Sequence, residues 1–160
     1  MNICLSKMTR AKMHAFFREF RYDPAITDNG SEYHYDQDAV DQYYDRQIAS
    51  GKQHYAIELN HTVIGDIYIK NIDHKQQSCE IGIHIINDSY KSKGYGTIAV
   101  KQMIQRFIKE TEIEAVYAET KRSNDRCKRM LKKAGFFKIG VKEQYDVYIY
   151  RMVQETTKGA

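Results

Sequence analysis

The sequence contains no tryptophan, a single proline (Pro24) and only three cysteines. One proline and nine glycines in 160 residues, with 42% apolar content, exclude a disordered or fibrous chain and fit an ordered globular protein. Cys4, Cys79 and Cys127 stand far apart, are odd in number and form no CxxC pair. That pattern fits reduced thiols in a cytoplasmic protein and argues against a structural metal site. No apolar run approaches the roughly 18 residues of a membrane span. The opening Met1-Asn2-Ile3-Cys4-Leu5-Ser6-Lys7 lacks the long apolar stretch of a secretory signal. Internal repeats, low-complexity tracts and Pro/Gly/Ser-rich linkers are missing too, so residues 1–160 are expected to form one domain with one substantial core.

What is present is an uneven charge. Between Arg21 and Asp45 seven acidic residues (Asp23, Asp28, Glu32, Asp36, Asp38, Asp41, Asp45) face a single arginine. Between Lys121 and Lys133 seven basic residues (Lys121, Arg122, Arg126, Lys128, Arg129, Lys132, Lys133) face Asp125 alone. An acidic end and a basic end fit two differently charged ligands, or two solvated faces.

Periodicity divides the chain into alternating elements. Ile3 and Leu5 alternate with polar neighbours as in a short strand. Thr9 has the chemistry of a helix N-cap, and Met13, Phe16, Phe17 and Phe20 follow at helical spacing. Tyr22 to Tyr35, with Asp23-Pro24 and Asn29-Gly30, reads as loop. Ala39, Val40, Tyr43, Tyr44 and Ile48 mark a second helix closed by Ser50-Gly51. Tyr55–Leu59 and Thr62–Ile69 flank Asn60-His61 as a hairpin, and a third β run covers Cys79–Ile86. After Gly94 and Gly96 comes an amphipathic helix through Ile108, then a strand at Ala115–Ala118. A short basic helix capped by Ser123 or Asn124 ends at Ala134-Gly135, and Phe136–Val141 and Tyr145–Met152 close the chain as strands. The order β-α-α-β-β-β-α-β-α-β-β is neither regular βαβ alternation nor all-β, so an α/β fold is expected, a mixed sheet with helices on both faces.

The chemically informative stretch runs from Glu80 to Thr97. A strand leads into a basic, glycine-bearing loop that opens a helix. That juxtaposes unpaired backbone N–H groups with the positive helix end, an anion site suited to a pyrophosphate. Gly94 and Gly96 would let the backbone approach a ligand closely, and Lys91 and Lys93 add charge. Lys91-Ser92-Lys93-Gly94-Tyr95-Gly96 resembles the (Gln/Arg)-x-x-Gly-x-(Gly/Ala) acetyl-CoA loop of the GNAT acetyltransferases, with Lys at the first position. Glu80-Ile81-Gly82-Ile83 followed by Lys93-Gly94-Tyr95-Gly96-Thr97 is most similar to the RimJ/RimL-type branch. Asn124 and the following Lys128 to Phe136 resemble that family's second block, which ends in Gly-Phe, here Gly135-Phe136. A Rossmann reading fails, because the third fingerprint glycine and a second βαβ unit are missing.

The resemblance implies a GNAT-like fold with a central, mostly antiparallel mixed sheet flanked by helices. It implies transfer of an acetyl group from acetyl-CoA to a primary amine by direct attack in a ternary complex. It further implies that Ile85 and Ile86 pair their backbone with the pantetheine arm, that Lys91, Ser92, Lys93, Gly94, Tyr95, Gly96 and Thr97 hold the pyrophosphate, and that Asn124 uses its side-chain amide on the cofactor. From composition alone, Asn124 is equally an N-cap. Family habit points to a homodimer. Partners would be a small-molecule or peptide amine, without nucleic acid, membrane or metal. The thirteen tyrosines are scattered over all elements and do not form a base-stacking platform.

A lysine-like amine is only about 0.04% neutral at pH 7, so a base must take its proton. Glu80, Gly82 and His84 share one strand face. Glu80 is the expected general base, and His84 the lesser candidate. Many family members place a tyrosine seven residues after the motif asparagine to protonate the departing thiolate; here that position is Leu131. Tyr145 or Tyr148 would substitute, or the thiolate would leave unassisted. Cys127 between Arg126 and Lys128 reads as a helical side chain, not a nucleophile. The acidic segment suggests a cationic acceptor: a polyamine, an aminoglycoside or a basic peptide terminus. The alternative from another class is an inactive acyl-CoA-binding sensor.

Overall fold

The computed structural model describes residues 2–23 and 32–152. Residues 24–31, which include Pro24, Asp28 and Asn29-Gly30 of the expected loop, lie outside that description. The described elements are β1 (Ile3–Lys7), α1 (Arg10–Glu19), α2 (Gln37–Ala49), β2 (Gln53–Leu59), β3 (Thr62–Asp73), β4 (Ser78–Ile85), α3 (Tyr95–Met103), β5 (Ala115–Lys121), α4 (Asp125–Lys133), β6 (Phe137–Lys142) and β7 (Tyr145–Arg151). A π-helical turn, Ile104–Ile108, prolongs α3.

The strands form one seven-stranded sheet in the order β1-β2-β3-β4-β5-β7-β6. Each neighbouring pair is antiparallel except β4 and β5. Turn chemistry sets several joints. Asn60 and His61 both take positive φ, 49° and 70°, which is the twist a two-residue hairpin between β2 and β3 needs. Thr9 caps α1 by accepting from Lys12 N–H, Asp36 caps α2 by accepting from Asp38 and Ala39 N–H, and Asn124 caps α4. Gly135, at φ 100°, ends α4.

Side-chain alternation sorts the core into two layers. Ile57, Ile67, Ile69, Ile81 and Val116 point to the face covered by α3 and α4, where Tyr55 stacks on Phe107. Ala56, Val63 and Ile86 pack with Met8, Met13, Phe16 and Val40 on the face covered by α1 and α2. The edge strand β6 leaves Phe137, Ile139 and Val141 exposed.

One irregularity positions the site. The parallel pairing of β4 with β5 spans only Ser78–Glu80 against Ala115–Tyr117. Beyond those residues β4 runs on to Ile85 and β5 to Lys121 without pairing each other. The strands part like a V, and the backbone edge of β4 faces a gap where the sheet would otherwise continue.

Candidate functional site

The gap opens into a cavity of ≈ 680 Å³. Its floor is Ile83 and Ile85 at the open end of β4, one wall is the loop and first turn of α3, and another is α4. Of the residues singled out from sequence for the cofactor, Ile85, Lys91, Ser92, Gly94, Tyr95, Gly96, Thr97 and Asn124 lie on the cavity wall; Ile86 and Lys93 do not. Ile86 has both backbone groups engaged: its N–H donates to Ile64 O and its C=O accepts from Arg21 N–H, each at 2.9 Å. Alternation along the strand then turns the backbone of Ile83 and Ile85 toward the gap. Of the expected pair Ile85 and Ile86, the backbone of Ile85 alone faces the gap, and Ile83 shares that orientation.

The α3 turn leaves backbone amides open at the cavity. Gly94 is the N-cap, at φ 85° in the left-handed region, with open space where a Cβ would stand. The first intrahelical bond is Ile98 N–H to Gly94 O, so the amides of Tyr95, Gly96 and Thr97 have no partner within the helix. Gly96 has a different reason to be glycine. A Cβ there would come within 3.3 Å of Met130 Cγ on α4, so the glycine lets the two helices approach.

On α4 the spacing Arg126, Arg129, Lys133 puts three cations on the cavity side, joined by Lys121 at the end of β5. Arg126 also pairs with Asp88 at 2.7 Å, linking α4 to the loop after β4. Asn124 Oδ1 accepts from Cys127 N–H at 3.1 Å, which is the capping role, and the residue still borders the cavity. Cys127 borders it as well, but burial pushes its thiol pKa up despite a bond with Thr120. The flanking cations do not activate it.

The cavity is also lined by Phe20, Arg21, Tyr22 and Asp23, which follow α1. Asp23 pairs with Lys91 at 3.8 Å. Further along the acidic segment, Asp41 and Asp45 are held by Arg10 at 3.0 and 2.6 Å, and Asp41 also by His14 at 2.7 Å. Glu32 and Asp38 are exposed.

Glu80 is not on the cavity wall. Its carboxylate accepts from Asn71 Nδ2 at 2.8 Å and lies 3.8 Å from Lys70 Nζ, toward the start of β4. His84, two register steps further along the same face, is on the wall. Its Nδ1 lies 2.9 Å from Oδ1 of Asp66, and His54 Nε2 lies 2.7 Å from the other oxygen. Sequence reasoning missed Asp66 and His54. The signal was an aspartate inside the apolar run Val63-Ile64-Gly65-Asp66-Ile67, where a buried charge requires partners. Leu131 is 1% exposed and belongs to the core. Tyr145 and Tyr148 are both off the wall, whereas Tyr22, Tyr90 and Tyr95 are on it.

Among the described residues no helix is long and apolar enough to cross a membrane, and no group of three or more His, Cys, Asp or Glu could hold a metal ion.

This architecture has known counterparts. A RimL ribosomal L7/L12 alpha-N-protein acetyltransferase in complex with coenzyme A superposes with a TM-score of 0.81 at 11% identity, over 95% of each chain. The aminoglycoside acetyltransferase AAC(6')-Ib, in complex with ribostamycin and coenzyme A, gives 0.77 at 19% identity over 100% of each chain. The spermidine N-acetyltransferase of Vibrio cholerae, in complex with CoA and spermine, gives 0.73 at 14%, over 93% of this chain and 95% of that one. Likenesses at such identities speak for the fold. No curated protein sequence matches the chain. The family model described as "Acetyltransferase (GNAT) domain" matches residues 2–137, most of the chain. The chain belongs to the GNAT family of acetyl-CoA-dependent N-acetyltransferases.

Proposed function

We propose that the protein moves the acetyl group of acetyl-CoA to the primary amine of a cationic acceptor, by direct attack in a ternary complex. The observation that carries this is the cavity between the parted strands β4 and β5, with an apolar floor, a helix N-terminus and a basic helix face around one space. The free edge of Ile83 and Ile85 suits an extended amide-bearing arm, which would add to the sheet as a strand does. The unpartnered amides of Tyr95 to Thr97, with Lys91, suit a pyrophosphate. Arg126, Arg129 and Lys133 suit further phosphate charge, and the Asn124 side-chain amide borders the same space. Acetyl-CoA supplies the activated acetyl thioester.

The acceptor would enter past Phe20, Tyr22 and Asp23. Two aromatic faces are what an ammonium group finds favourable. The structural neighbours bound to spermine and to ribostamycin, and the one named for an alpha-amino protein terminus, support an amine of that kind. Because Arg10 and His14 engage Asp41 and Asp45, and Lys91 pairs with Asp23, the attraction rests on the exposed Glu32 and Asp38, not on the whole acidic run. The test is kcat/KM for a polyamine against a neutral-bodied monoamine at low and high salt. The reading expects a preference for the polyamine that shrinks as salt screens the field; equal rates, or a preference indifferent to salt, would remove the cationic acceptor.

A further inference from the structure

We propose that His84, oriented by Asp66 and through it by His54, is the group that takes the proton from the acceptor amine. The inference rests on the transferase reading above and assigns the base within it.

Three strands present the cluster to one face. His54 on β2 is a register partner of Tyr68 on β3, Asp66 is the partner of His84 on β4, and Tyr68 is the partner of Gly82. The Asp66 side chain is 7% exposed, yet it holds a carboxylate in the middle of a strand. Such a charge is tolerated only when its oxygens are bonded, and here each oxygen meets one imidazole nitrogen. The Nδ1 of His54 is buried without a hydrogen-bond partner. With Nδ1 unpaired, the nitrogen of His54 that meets Asp66 is Nε2, and the proton there is given to the carboxylate. That interaction fixes one carboxylate oxygen and leaves the other for His84.

His84 then donates Nδ1–H to Asp66, which leaves the lone pair on Nε2 as its reactive site. The side chain is 52% exposed, and His84 is among the residues that line the cavity. Tyr68 steadies it. The tyrosine ring lies 6.1 Å from the His84 ring and occupies the place a Cβ on Gly82 would take. This gives a reason for the glycine in Glu80-Ile81-Gly82. Glu80 on the same face is held by Asn71 and Lys70, away from the wall.

The acceptor arrives as an ammonium and gives one proton to Nε2 of His84. The freed nitrogen lone pair forms the C–N bond at the thioester carbonyl as the C–S bond breaks, its electron pair leaving with sulfur. The second amine proton ends on that sulfur, and His84 returns its own to solvent. The charged and titratable groups facing His84 are Asp66, Tyr68 and Lys70 from β3, Lys91 from the loop after β4, and His54 and Tyr43 beyond Asp66. Burial disfavours the imidazolium, but the charge and hydrogen bond of Asp66 outweigh it and the repulsion of Lys91 and Lys70. His84 therefore titrates above the ordinary histidine value.

The experiment pairs two readouts on the full chain. One is kcat/KM against pH for wild type, His84→Gln and Asp66→Asn, with the best amine from a panel. The other is NMR titration of the His84 ring in ligand-free wild type and Asp66→Asn. His84→Gln should lose about 10²-fold or more in kcat/KM and flatten the acidic limb, in line with the usual worth of a general base, while acetyl-CoA still raises its Tm. Asp66→Asn should move both the limb and the ring titration to lower pH and lower the plateau. A His84→Gln that keeps rate and limb overturns the inference, as does an Asp66→Asn that slows the reaction without moving either curve. If Asp66→Asn does not fold, a wild-type ring that titrates at or below the ordinary value overturns it. Wild type that acetylates no amine removes the transferase reading as well; wild-type turnover beside an unimpaired His84→Gln removes only this inference.

Discussion

Asp66 and His84 are register partners on adjacent antiparallel strands, and their side chains meet at 2.9 Å. The pairing makes stability depend on pH in two opposite senses. Burial works to raise the Asp66 pKa. The charge on His84 and the hydrogen bonds from both histidines more than reverse this, and the carboxyl sits at about 2. A depressed carboxyl contributes stability that is present above its unfolded value near 3.8 and is lost as pH falls toward about 2. His84, raised from 6.5, contributes stability that is full below 6.5 and fades as pH rises through its folded value. Urea midpoints across this range should therefore be highest between the two windows. Asp66→Asn should flatten both slopes and cost about 3 kcal/mol, the scale of breaking a buried pair. A midpoint that responds to pH identically in both proteins would contradict this.

The glycines of the α3 loop should separate by their different reasons. Gly94→Val must place a β-branched residue in the left-handed region and a side chain in the cavity mouth. It should abolish the Tm rise that acetyl-CoA gives by binding the native state. Gly96→Ala is tight only against the flexible Met130 side chain, at 3.3 Å, with Ile83 in ordinary contact at 3.7 Å, and should keep most of that rise. Equal losses in the two variants would mean that the turn does not hold the ligand.

The basic face of α4 makes an electrostatic prediction. Replacing Arg129 and Lys133 with Ala should weaken acetyl-CoA binding by about tenfold at low salt, the scale of losing one or two charge-assisted bonds. The loss should shrink at high salt. An unchanged Kd measured by calorimetry would move the phosphates elsewhere.

Cysteine chemistry should rank by burial. Cys4 is exposed, whereas burial raises the thiol of Cys127 and pushes that of Cys79 up to about 11. Peptide mass spectrometry after brief alkylation near neutral pH should find Cys4 modified first. Early labelling of Cys127 would reopen an acyl-cysteine route.

Much of this was legible in the sequence, because local chemistry carried it. The element order follows from periodicity and from caps such as Thr9 and Asn124, and the hairpin from Asn60-His61. The glycine-bearing turn that opens α3 shows in Lys91 to Thr97, since one loop supplies all of it. What was not legible depends on register across strands. Glu80 and His84 share a face on one strand, but only the pairing with β3 reveals that Asn71 and Lys70 hold the first and Asp66 the second. Ile86 follows Ile85 in sequence, yet a bond to Ile64 and another from Arg21 occupy its backbone. The acidic run likewise looked uniform until Arg10 and His14, from α1, were seen to engage Asp41 and Asp45.

The central claim is acetyl transfer to an amine, and release of CoA thiol from acetyl-CoA across a panel of amines tests it most directly. The panel should hold a polyamine, an aminoglycoside, a basic peptide terminus and a neutral-bodied monoamine. The account requires thiol release that depends on the amine, saturates with it, and matches one acetyl group gained by the acceptor in mass. Acetyl-CoA that raises the Tm but gives no amine-dependent thiol release with any member would contradict it and leave a CoA-binding sensor in its place.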